Sequence, residues 1–115
     1  MKLIGYKAMK FEDGMCISGA DSRVRFPPLE GLKVKLPGMG LYLSLSVDYV
    51  EEFYTGLHDN EILLTFEFDT ANIVSGSVDD IQTEISVSEA TLLLWQERRN
   101  HEDVQAKGPG AGVVG

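Results

Sequence analysis

The nine residues Glu61–Asp69, EILLTFEFD, constrain this chain more than any other stretch. Side chains alternate between the two faces of a strand. Ile62, Leu64, Phe66 and Phe68 therefore share one face, and Glu61, Leu63, Thr65, Glu67 and Asp69 share the other. The first face is a core surface and the second is partly acidic. A strand of this kind needs neighbours, and the sequence supplies several.

Leu3–Met9 reads as a first strand, and Met15–Ser18 as a second after the turn signal Asp13-Gly14. Pro27-Pro28 interrupts any regular element. Leu32–Leu36 alternates with period two, Pro37–Gly40 is a turn, and Leu41–Leu45 is another strand with Leu41, Leu43 and Leu45 on one face. Asn72–Ser75 is a short extension, and Gln82–Val87 alternates as a further strand.

One segment has a different period. Val47, Val50, Phe53 and Tyr54 recur at helical spacing after Ser46, a good N-cap, with Asp48 in the first turn and Gly56 as a stop. The sequence predicts a helix over 47–55. Residues 88–99 read either as a helix or as a stretch holding a buried strand at Thr91–Trp95. The capping-box spacing of Ser86 and Glu89 and the many helix formers favour the helix. The expected fold class is α+β: a mostly antiparallel sheet with one or two short helices.

The chain has 115 residues, of which 43% are apolar, enough for one domain with a sizeable core. We expect a single globular domain over 1–100. The stretch 101–115, ending GPGAGVVG, reads as a flexible Gly-rich tail. A lone cysteine, Cys16, excludes an internal disulfide framework, and two distant histidines, His58 and His101, make a zinc site unlikely in this sequence. No apolar run is long enough to cross a membrane as a helix, and no signal-peptide pattern opens the chain. A cytoplasmic, soluble protein is expected.

The net charge is −8, but its distribution says more. Residues 1–35 sum to +3 and residues 98–115 to +1, whereas the 62 residues from 36 to 97 hold twelve carboxylates and no Lys or Arg. Direct nucleic-acid binding is disfavoured there, because phosphates need basic side chains. A surface for a basic protein partner is the matching expectation, formed by Asp48, Glu51, Glu52, Asp59 and Glu61.

Catalytic motifs are scarce. There is no Ser-His-Asp or Cys-His arrangement and no P-loop; Gly38-Met-Gly40 lacks the rest of a dinucleotide fingerprint, and Asp79-Asp80 has too few partners for calcium. No metal is expected. The most specific arrangement is the strand Gly40-Leu-Tyr-Leu-Ser-Leu-Ser46, then a helix ending in Phe53-Tyr54, then an apolar strand, then Gln82-Thr-Glu84. This order resembles the ADP-ribosyltransferase superfamily, across about residues 3–90. Lys7-Ala8 stands where members carry Arg or His followed by Gly.

The resemblance implies an NAD site. Glu84 would bind the nicotinamide-ribose hydroxyls and stabilise an oxocarbenium-like transition state. Ser44 would orient Glu84 by a hydrogen bond. Tyr42 or Tyr54 would stack on the nicotinamide ring, and Lys7 would contact the dinucleotide. Two functions compete. The first is a small acidic binding module or inhibitor, of phage or mobile-element type, with an ADP-ribosyltransferase-like fold and no catalysis. The alternative is an NAD-dependent ADP-ribosyltransferase acting on a protein or nucleic acid. Sequence leans to the first and leaves the oligomeric state open, though an exposed strand edge or Leu92–Trp95 packing against another copy is a third route.

Overall fold

Alternating apolar residues recur along most of the chain, and backbone hydrogen bonds join them into one antiparallel sheet. A computed structural model describes residues 1–19, 23–36, 38, 40–54, 61–79 and 84–97, with the side chains of 51–54 and 97 outside that description. The strands are β1 (Lys2–Glu12), β2 (Met15–Ile17), β3 (Arg25–Phe26), β4 (Lys33–Lys35), β5 (Leu41–Ser44), β6 (Glu61–Asp69), β7 (Ile73–Ser75), β8 (Glu84–Val87) and β9 (Glu89–Glu97). The helix α1 spans Val47–Tyr54, and Thr70–Asn72 forms a 3₁₀ turn. Strand order is β4-β9-β6-β1-β5-β8-β7, with β2 and β3 added on the end of β1.

The long β1–β6 ladder runs from Lys2 opposite Asp69 to Lys10 opposite Glu61. On its other side β1 pairs with β5 through Tyr6 and Ser44, and further along with β2 through Lys10, Phe11 and Glu12. The β1–β2 turn carries Asp13 and Gly14 at φ 52° and 77°, which a left-handed-tolerant Asp-Gly pair accommodates. Gly40 has φ 94° just before β5. A Cβ there would collide with Ser86 Oγ, so only glycine brings β5 this close to β8.

The sheet is open, but it curls. Only Ser88 separates β8 from β9, yet β8 pairs with β5 and β7 while β9 pairs with β6 and β4. One bent stretch thus serves both halves of the sheet. Ser88 fixes the corner: its carbonyl accepts from Leu36 N at 2.9 Å, and its own N–H donates to the Asn72 carbonyl at 2.9 Å. The main core fills the concave side. It includes Met9, Leu41, Leu43, Leu64, Phe66, Ile85 and Leu92, all buried. The outer face is covered more thinly. There Val50 of α1 packs with Ala8 and Leu63, flanked by Tyr6 and Val47. Ser46 Oγ caps α1 by accepting from Tyr49 N at 3.2 Å, as an N-cap serine should.

The α+β expectation is overturned. Among the described residues one eight-residue helix stands beside nine strands in one sheet, so the fold is nearly all-β. The second helix is instead β9: pairing with β6 and β4 overrides the capping-box spacing of Ser86 and Glu89 and the run of helix formers, and the strand carries a bulge. Thr65 faces Leu94 but Phe66 faces Leu92, so Leu93 is an extra residue. The extra residue shifts the alternation by one. Leu92 and Trp95, three apart, both reach the main core, which imitates a helical repeat. The two-residue β3, abutting Pro27, was not foreseen. The expected tail at 101–115 and the Gln82-Thr83 part of the expected strand lie outside the described residues. Among the described residues no helix is long and apolar enough to cross a membrane.

Candidate functional site

Four of the residues tied to an NAD site fall on three neighbouring strands. Lys7 is on β1, Tyr42 and Ser44 are on β5, and Glu84 is on β8. Ser44 lies directly opposite Glu84 in the β5–β8 ladder and opposite Tyr6 in the β1–β5 pair. Tyr54 ends α1, and its side chain lies outside the described residues.

Strand parity divides this group. Leu41, Leu43, Ile85 and Val87 belong to the main core, so Tyr42, Ser44 and Glu84 alternate to the outer side. On β1, Leu3, Met9 and Phe11 go with the main core, and Lys7 shares their parity. The candidate dinucleotide contact and the candidate catalytic carboxylate therefore start from opposite faces of the sheet.

Lys7 has a structural task. Beyond the Tyr6–Ser44 pair, β5 leaves β1, and β2 takes its place from Lys10 onward. The Tyr42 carbonyl accepts from Lys7 Nζ at 3.2 Å. The buried lysine thus supplies a donor to a part-buried carbonyl where β5 leaves β1. Burial pushes the Lys7 pKa down, and the negative charge of Glu84 partly restores it. Lys7 and Glu84 do not approach within ion-pair distance among the described residues.

Ser44 is fully buried. Its Oγ donates to the Ser46 carbonyl at 2.9 Å and accepts from Ser46 N at 3.1 Å. A hydroxyl has one proton to donate, so it is not donated to Glu84. The expectation that Ser44 orients Glu84 in this way is corrected: Ser44 shapes the entry to α1. Tyr42 is 47% exposed and open to a planar ligand or a partner side chain.

The acidic surface fares unevenly. Asp48 is exposed at the start of α1, whereas Glu61 is buried at 3% exposure and leaves the proposed contact surface. Glu51 and Glu52 follow Asp48 on α1, with side chains outside the described residues, and Asp59 lies outside them altogether. Cations and acids meet elsewhere. Lys2 pairs with Glu67 at 3.8 Å, Lys33 and Lys35 with Glu89 at 3.5 and 3.9 Å, Lys10 with Glu12 at 3.1 Å, and the N-terminal amine with Asp69 at 3.5 Å. A cleft of about 180 Å³ opens among these groups, lined by Lys2, Lys33, Glu67, Asp69, Asn72 and Glu89. Sequence reasoning did not find this cleft, because its charges come from four separate strands. Asp48, Asp79 and Glu84 join no ion pair among the described residues. No group of three potential metal ligands occurs among the described residues.

Compared with family models, curated proteins and solved structures, the chain matches none.

Proposed function

We propose that this chain is a non-catalytic protein-binding module of the inhibitor or adaptor kind, taking a basic partner on the acidic surface that begins at Asp48 on α1. The supporting observation is charge segregation. Lys2, Lys10, Lys33 and Lys35 are engaged by acids of β1, β6 and β9, while Asp48 is exposed and unpaired among the described residues. Glu51 and Glu52 follow it, with no basic residue between 36 and 97 to neutralise them. Such a surface accelerates encounter with a cationic partner and loses its effect as salt rises.

Titration calorimetry with a Lys- and Arg-rich peptide tests this reading. Affinity should fall steeply with salt and be lost in the D48K/E51K/E52K variant. The control E89K, at the end where charges are already paired, should bind like the parent chain. Salt-independent affinity, or equal loss in both variants, overturns it.

The NAD-dependent alternative keeps one supporting feature: exposed Tyr42 and half-buried Glu84 share the outer parity of adjacent strands. Saturable thermal stabilisation by NAD that Tyr42→Ala abolishes would replace the first reading with this one.

A further inference from the structure

Sheet edges invite pairing unless they are short, charged or covered. Three edge strands here are guarded. β4 carries Lys33 and Lys35, β3 has two residues, and β7 has three with an irregular register. The edge of β9 differs. β4 covers only Glu89 to Thr91, and residues 31 and 32 bond Leu92. Beyond that point, Leu94 to Glu97 pairs with β6 on one side, and neither this stretch nor the bulged Leu93 has a backbone partner on the other among the described residues. The segment reads Leu-Leu-Trp-Gln-Glu, without lysine or proline. Leu93 and Leu94 are 37% and 44% exposed.

We propose that the open part of the β9 edge pairs antiparallel with the same edge of a second copy of this chain. An antiparallel edge is self-complementary about a two-fold axis, so one surface serves both copies. Electrostatics selects this place. Two chains of net charge −8 repel, and exposed Asp48 on α1 would sharpen that repulsion. Around β9, Glu67 and Glu89 are already matched by Lys2, Lys33 and Lys35, and Arg98 and Arg99 follow β9 directly in sequence. With Glu97 counted against Arg98 and Arg99, the sequence from 93 to 99 sums to +1, so the approach is nearly neutral. Leu94 lies opposite Thr65, which lies opposite Tyr6. Pairing would extend this outer row across the dimer and bury the two leucines. The inference does not depend on the α1 surface.

Sedimentation equilibrium of the full chain, with amide hydrogen exchange as a second readout, tests it. A reversible dimer should form, with amides in Leu93–Glu97 gaining protection as concentration rises. Leu94→Lys should return the chain to monomer with an unchanged far-UV circular dichroism spectrum. A monomer up to about 1 mM, the weak limit of specific association, overturns the proposal. A dimer whose Leu93–Glu97 amides exchange independently of concentration also overturns it, and that readout does not require the variant to fold.

Discussion

The two faces of the sheet are built to different standards. The inner face is closed by its own curl, and Phe66, Leu43, Leu64, Ile85 and Leu92 there have no solvent exposure. Among the described residues the outer face has one short helix, a small cluster around Val50, and exposed Ile4, Tyr42 and Leu94. Both faces belong to the same strands, so the difference comes from what covers each one. The inner face holds the fold together. The outer face, where Asp48, Tyr42, Glu84 and Leu94 lie, is free to vary and to bind.

The largest test of that difference is Phe66→Ala. Phe66 packs edge-on against Phe26, with ring centroids 6.1 Å apart, and lies at the centre of the closed side. Its loss should cost about 3–5 kcal/mol in urea unfolding, the usual range for a buried phenylalanine. Val50→Ala, equally buried but on the thin outer cluster, should cost about 1–2 kcal/mol. Comparable losses at the two sites would break the distinction.

A subtler test uses Lys7, the charged residue of core parity at the gap between β5 and β2. Its folded pKa lies below the ordinary value because of burial. Between that lowered value and the unfolded one, the unfolded chain holds the extra proton, so this group makes stability rise with pH. Its penalty is complete below the lowered folded pKa and fades as pH approaches 10.5. Lys7→Met should remove this slope, seen as a parent-minus-variant difference in denaturation free energy across the alkaline range. Identical slopes would mean that Lys7 is solvated in the folded chain.

Much of the sheet was legible because alternation is local. Glu61–Asp69, Leu41–Ser44 and the turn at Asp13-Gly14 declared themselves from neighbouring residues, and Ser46 announced α1. What failed was non-local. β9 is a strand because β6 and β4 lie alongside, and the local capping-box spacing and helix formers could not show that pairing or its bulge at Leu93. The curl at Ser88 depends on Leu36 and Asn72, distant in sequence. The site suffered likewise. Sequence placed Lys7, Tyr42, Ser44 and Glu84 together, and they do lie on adjacent strands, but parity and the Ser44–Ser46 bonds became visible only with register. The burial of Glu61 was hidden for the same reason.

The smallest effect tests how little an exposed charge contributes beside this core. Asp69 accepts from Ala71 N at 2.9 Å and lies 3.5 Å from the N-terminal amine. The Ala71 hydrogen bond, followed by the amine, lowers its pKa from 3.8, although the carboxylate is solvent-exposed. A depressed carboxylate pKa gives stability that is present above the unfolded value and lost as pH falls through the folded one. Asp69→Asn keeps an oxygen for Ala71 N and removes only the charge. Its melting temperature should fall slightly below the parent's near neutral pH, and the two should converge in acid. A gap that persists below the folded pKa would show that geometry at the 3₁₀ turn, rather than charge, is what Asp69 supplies.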